Sequence, residues 1–186
     1  MSPKAIILVD GENILLRYQD SVKSDKKIPL GNVDHEQNRY VWHPDITGDL
    51  AQNILRVSYY TTFTGDTDKI SDLNKKLASV QYTFKPGEDL VGKGTLTPYI
   101  YKKEKKSSTK AVDINLTVDA LRHTFNKSVD EIHIVSGDGD FIPLIKEMMR
   151  QGIVVRVLAF ENGCHPQLKF VPDSFYPLDA IFFKNT

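Results

Sequence analysis

The chain has 186 residues, 40% hydrophobic and 26% charged, enough for one domain with a real core; this excludes a largely disordered polypeptide. Its 24 basic and 24 acidic side chains balance, so net charge names no nucleic-acid partner and electrostatic steering must come from local clusters. A single Cys164 excludes an internal disulfide or a cysteine-rich zinc site, and no apolar run approaches the roughly 20 residues of a membrane span; we expect a cytoplasmic protein.

Ala5-Ile6-Ile7-Leu8-Val9 is a continuous, branched apolar run, as in a parallel strand covered on both faces. It is too short for a signal peptide and leads into Asp10-Gly11-Glu12-Asn13 rather than a cleavage site. A carboxylate and a carboxamide therefore stand at the carboxyl end of the first strand, before a helix opening at Ile14-Leu15-Leu16. Helix capping by Asp10 or Asn13 accounts for these residues as well as ligand binding does.

From about Tyr18 to Thr47 the periodicity weakens, and we expect an insertion or long loop, with a hairpin closing at Gly31-Asn32 and a short strand at Tyr40-Val41-Trp42. His35 and His43 in this stretch are expected at the surface, without chemistry. Leu55 to Phe63 has strand composition, and Asp68 to Val80 carries Ile70, Leu73, Leu77 and Val80 on one helical stripe. Gln81 to Lys85 forms a further short strand before the turn at Pro86-Gly87.

The segment Tyr99 to Lys110 is the most lopsided of the chain, with Tyr99 and Tyr101 followed by Lys102, Lys103, Lys105, Lys106 and Lys110. It suits either a stacking platform leading to a phosphate-tracking strip or a solvated loop with both tyrosines in the core. Ala111 to Phe125 is a predicted helix whose broad apolar face, including Ile114, Val118, Leu121 and Phe125, implies burial against the sheet. Asp113 lies near its start, where an acid is favoured by the helix dipole alone, and Asp119 points elsewhere around the helix.

Ile132 to Val135 is a second apolar strand, ending in Ser136-Gly137-Asp138-Gly139-Asp140 before an amphipathic helix from Phe141 to Arg150. Asp140 as helix N-cap and Asp138 as turn residue explain this motif locally; two acids at a strand's carboxyl end equally suit a bound cation. Gly152 stops that helix, and Ile153 to Leu158 is another apolar strand. Residues 161–186 are less regular; Ala180-Ile181-Phe182-Phe183 either adds a last strand or packs as a tail, and Cys164 and His165 are structural.

Strands alternating with helices and no antiparallel meander predict a single α/β domain over 1–186, a three-layer sandwich with a mainly parallel sheet of about five or six strands. Asp10, Asp113, Asp138 and Asp140 can then converge on one cleft, where close carboxylates raise one another's pKa unless a cation holds them ionised. All-oxygen ligation selects Mg²⁺ or Mn²⁺ rather than zinc.

The three segments Ile6 to Asn13, Lys110 to Asp113 with Asp119 beyond, and Val135 to Phe141 together resemble the signature segments of the NYN domain family, within the PIN-like ribonuclease superfamily. The resemblance covers roughly Lys4 to Leu158, with no counterpart for Tyr18 to Thr47. It implies a PIN-like fold and a metal-dependent endoribonuclease, with Asp10, Asp113, Asp138 and Asp140 as the acidic, metal-binding cluster. It further implies that Asn13 and Ser136 orient a water, metal or phosphate, and that Lys110 contacts substrate phosphate. Beside such a cleft, Lys102, Lys103, Lys105, Lys106 and Tyr99 become substrate contacts. The expected partner is RNA, single-stranded or structured, with a homodimer left open and no membrane. A non-catalytic RNA- or nucleotide-binding module on the same fold is the alternative. An aspartyl-phosphate phosphatase is disfavoured, because Asp10-Gly11-Glu12 lacks the second aspartate two residues on.

Overall fold

The computed structural model describes residues 2–103 and 110–184. The first half runs β1 (Lys4–Asp10), α1 (Gly11–Lys23), β2 (Asp34–Glu36), β3 (Tyr40–Trp42), β4 (Asn53–Phe63), α2 (Thr67–Ser79), β5 (Gln81–Gly87), β6 (Leu90–Thr95) and β7 (Thr97–Lys102). The second half runs α3 (Ala111–Phe125), β8 (Glu131–Val135), α4 (Ile142–Arg150), β9 (Val154–Ala159), β10 (Ser174–Pro177) and α5 (Asp179–Phe182).

Six strands form one sheet in the order β10-β9-β8-β1-β4-β7, every neighbouring pair parallel. The three apolar runs of the sequence are β1, β8 and β9; β1 beyond Lys4 and all of β8 are buried on both faces as a parallel sheet requires, while β9 is buried from Val157 on. Two cores flank the sheet. Ile7, Val9, Tyr59 and Val135 face one, with Ile14 of α1 and Leu77 of α2; Ile6, Leu8, Ile132 and Ile134 face the other, with Leu116 of α3 and Ile145 of α4. The expected three-layer α/β sandwich is thus observed.

The chain builds outward from β1 to β4 and β7, then crosses back to lay β8, β9 and β10 on the other side. Right-handed crossovers running in opposite directions put α1 and α2 on one face and α3 and α4 on the other. The reversal falls between β1 and β8, and the crevice beyond their carboxyl ends is where such sheets bind ligands.

Several sequence expectations are corrected. Helix α1 runs on through Tyr18 to Lys23, so the stretch read as loop begins as helix. The β2–β3 hairpin turns at Gln37 to Arg39, with Asn38 at φ +59°, rather than at Gly31-Asn32. Tyr40, Val41 and Trp42 lie deep in the first core, because this segment covers one face of the sheet. His43 is buried, not on the surface: its Nδ1 accepts from the Asp45 amide, and its Nε2 lies 2.8 Å from Asn32 Oδ1.

Antiparallel structure is also present, as the β2–β3 and β5–β6 ribbons outside the main sheet. On α3 only Val112, Leu116, Ala120 and Thr124 are buried; Ile114, Val118 and Phe125 face solvent, since the helix offers the sheet one stripe rather than a broad face. The last strand is Ser174–Pro177, and Phe182 and Phe183 pack as a tail against the first core.

Candidate active site

Asp10 ends β1 and caps α1, its Oδ1 accepting from the Asn13 amide at 3.1 Å. The helix starts this close to the strand because Gly11 lies against the Tyr59 ring and the Tyr60 carbonyl, where a Cβ would clash. Across the crevice, Ser136 at the end of β8 donates its hydroxyl to Asp10 Oδ2 at 2.9 Å. The same Ser136 oxygen accepts from the Asp138 amide, and Asn13 Oδ1 accepts from the Gly137 amide at 3.0 Å. Five residues of two sequence motifs are thereby locked into one hydrogen-bonded unit.

The N-cap of the second motif is Asp138, whose Oδ1 accepts from the Asp140 amide at 2.9 Å, not Asp140 as local preference suggested. A 3-10 turn over Gly139–Phe141 precedes α4, which moves the cap back by two residues. Asp140 is exposed at the rim.

Asp113, in the first turn of α3, approaches from the other face of the sheet. Its carboxyl is raised by burial and by the charges of Asp138, Glu12 and Asp140, partly offset by Lys110. Asp10 is 4% exposed and is pushed up to about 7, mainly by burial and further by Asp113 and Glu12, against the lowering bonds from Asn13 and Ser136. The four predicted aspartates therefore share one electrostatic neighbourhood.

Glu12 belongs to that neighbourhood and was missed as a site residue. Thr62 donates its hydroxyl to Glu12, and Lys103 Nζ lies 3.6 Å from its carboxylate. The signal was in the Asp10-Gly11-Glu12-Asn13 motif, but an acid in a helix's first turn reads as dipole compensation. His165, expected to be structural, bonds the Gly137 carbonyl through its backbone amide, and its ring packs where a Gly139 side chain would go.

Of the predicted substrate contacts, Lys110 precedes α3 within electrostatic reach of Asp113, Lys103 faces Glu12, and Lys102 is exposed at the end of β7. Lys105 and Lys106 lie outside the described residues. Tyr99 is half buried and stacks on Tyr60 with ring centroids 4.9 Å apart, so one face of its ring is taken. Asp119 accepts from the Tyr60 hydroxyl at 2.7 Å and pairs with Arg122, away from the cluster.

The donors around the crevice are carboxylate, carboxamide and hydroxyl oxygens, a set that suits a hard divalent cation. Among the described residues no three carboxylate, imidazole or thiol side chains come close enough to hold one ion directly. The fit is to an ion bound by one or two carboxylates and largely through its own waters, the habit of Mg²⁺. No helix among the described residues is long and apolar enough to cross a membrane.

Comparison with known proteins agrees with this architecture. The solved structure of a protein of unknown function, VPA0982 from Vibrio parahaemolyticus, superposes with a TM-score of 0.59 at 20% identity, over 98% of this chain and 97% of that one. Uncharacterized protein MJ0482 of Methanocaldococcus jannaschii is 29% identical over 121 residues, which is 60% of this chain. The match spans only 47% of that relative's length. The sequence model of the NYN domain matches residues 4–179, nearly the whole chain. The chain belongs to the NYN domain family.

Proposed function

We propose that the chain is a metal-dependent endoribonuclease that hydrolyses RNA phosphodiester bonds at the crevice between β1 and β8. The observation that carries this reading is Asp10, a buried carboxyl at the sheet's switch point, raised to about 7 among Asp113 and Glu12. Uncompensated acids at a strand end are costly and stay ionised at neutral pH only beside positive charge. Mg²⁺ or Mn²⁺ bound there supplies that charge at the phosphate and lowers the pKa of water.

The chain's own residues orient and neutralise. Ser136 and the Asn13 amide hold both oxygens of Asp10, and Asn13 also fixes the Gly137 amide. Asp113 brings a carboxylate from the opposite face, while Asp138 has one oxygen committed to the Asp140 amide. Lys103 offsets Glu12, and Lys102 and Lys110 stand at the rim to attract the RNA backbone. A lone cysteine suits the reducing cytoplasm, where we place this activity.

The test is cleavage of an end-labelled RNA with Mn²⁺, Mg²⁺ or EDTA, beside an Asp10→Asn/Asp138→Asn double variant purified identically. Metal-dependent cuts absent from the variant are expected. RNA retained without metal and never cut would move the assignment to a non-catalytic RNA- or nucleotide-binding module.

A further inference from the structure

The β2–β3 hairpin lies in the stretch without a counterpart in the family's signature segments, yet it forms one wall of a trough. The other wall is the outer face of α1. The trough is two joined clefts: one of about 570 Å³ that begins at Glu12, and one of about 450 Å³ that continues along α1 to Lys23. Both are lined by Leu16, Gln19, Gln37 and Asn38.

The first cleft has a distinct chemistry. The Arg39 guanidinium lies 5.4 Å from the centroid of the Phe63 ring, a cation–π pair in its lining. Arg39 is held there by Glu36 and by the Lys69 carbonyl at 3.5 Å, and its Nε is buried without a hydrogen-bond partner among the described residues. Leu16 adds an aliphatic surface that is 53% exposed. Gln19, Gln37 and Asn38 bring carboxamides, and Thr61, Thr62 and Thr64 bring hydroxyls, so the walls both donate and accept.

Such a site suits a planar, uncharged, hydrogen-bonding heterocycle with apolar faces. A nucleobase has those properties, and stacking beside amide and hydroxyl contacts is how proteins hold unpaired bases of RNA. The size lies within the roughly 300–1,000 Å³ of small-ligand sites. Glu12 joins the cleft to the aspartates, since its charge raises both Asp10 and Asp113. Lys103 lies beside Glu12 at that junction and reduces the repulsion of a passing phosphate.

We propose that this cleft is a base-binding subsite for the RNA strand next to the scissile phosphate, with the β2–β3 hairpin as its specificity wall. The proposal rests on the ribonuclease reading above. A single strand enters with one base between Leu16 and the Arg39–Phe63 pair, its neighbouring phosphate at the aspartates. The amides at the hairpin tip read the edge of that base, so the insertion sets sequence preference at the cut rather than the chemistry of cutting.

The experiment uses the whole chain in EDTA with RNA oligonucleotides carrying 4-thiouridine at successive positions; after irradiation the adducts are mapped by mass spectrometry. Adducts are expected within residues 15–19 and 37–39. Leu16→Glu and Gln37→Glu each change an exposed side chain and leave the core untouched. Each is expected to weaken RNA binding about tenfold in fluorescence anisotropy, the scale of losing one stacked base, and to remove those adducts. Both variants are expected to keep the wild-type Tm, and hydrolysis of bis(p-nitrophenyl) phosphate by the wild-type chain with Mn²⁺ reports on the aspartates apart from any base. Adducts confined to other surfaces, with both variants binding RNA at full affinity, overturn the subsite while leaving the nuclease reading intact. Loss of phosphodiester hydrolysis in the wild-type chain, with RNA still cross-linked to the trough, sinks the nuclease reading and upholds the subsite. A chain that retains no RNA overturns both.

Discussion

Ser136 donates its hydroxyl to Asp10 Oδ2 at 2.9 Å, a bond between residues 126 apart in sequence that ties the end of β8 to the end of β1. Its removal leaves the Asp138 amide without that acceptor and Asp10 Oδ2 without that donor. Ser136→Ala is expected to cost about 1–2 kcal/mol of stability, the scale of a lost buried hydrogen bond. It should also lower kcat on RNA with little change in KM, because it positions an acid rather than binding substrate. A KM increase at constant kcat would contradict that role.

Asp10 makes the metal-free protein less stable as pH rises. Its carboxyl titrates near 7 in the folded chain, against an ordinary value of 3.8, because burial disfavours the charge. The folded state therefore holds a proton that the unfolded state has released, and stability falls between about pH 4 and 7, then levels. Asp10→Asn is expected to melt above wild type at pH 8 in EDTA and to converge with it near pH 4. Each 1 kcal/mol gained moves Tm by roughly 2–4 °C in a chain of this size. Added Mg²⁺ should narrow the gap by raising the wild-type Tm alone. Melts in the reverse order would sink this account.

Gly11 has no room for a side chain, since an added Cβ would lie 2.8 Å from the Tyr60 carbonyl oxygen and closer still to the Tyr59 ring. Gly11→Ala is expected to destabilise by about 1–3 kcal/mol in urea unfolding, the cost of overpacking. Cleavage should fall as well, because α1 carries Asn13 and must shift from β4 to make space. An unchanged urea midpoint would show that the contact relaxes freely.

Glu131, buried beneath the opposite end of β8, is held down at about 2, against an ordinary 4.5, by the His133 imidazole and the Arg156 guanidinium. Arg156 Nε donates to it at 2.8 Å. A depressed carboxyl stabilises the fold above about pH 4.5, and that contribution is lost as pH falls toward 2. Arg156→Leu leaves the charge under-compensated, at a cost of about 2–3 kcal/mol, and should move acid unfolding to higher pH. Adding Glu131→Gln to Arg156→Leu should recover part of the loss; an acid transition that stays put would rule out this pair as its source.

Much of the frame was legible because burial on both faces leaves a plain local mark. Ala5 to Val9, Ile132 to Val135 and Ile153 to Leu158 read as parallel strands, and they became β1, β8 and β9 with little change of boundary. Strand β6 was illegible for the opposite reason. Gly92 and Gly94 look like breakers in sequence, yet they make cross-strand room for the Phe84 and Tyr82 rings. On α3 the apolar spacing showed which residues are hydrophobic but not which meet the sheet, so Ile114, Val118 and Phe125 were misplaced.

The acids divide in the same way. Asp10, Asn13, Ser136 and Asp138 stand at strand ends, and a strand end followed by turn residues is a local pattern of adjacent side chains. Their meeting is not local: it depends on β8 pairing with β1 rather than with β7, which precedes it in the chain. That pairing makes the crevice, brings Asp113 in from the far face, and turns Glu12 from a helix-end acid into the link between the aspartates and the hairpin trough. Apolar periodicity and turn chemistry are one-dimensional signals and determined the elements. The order of strands in the sheet is settled by packing between residues far apart in the chain, and only there did separate acids come into one electrostatic neighbourhood.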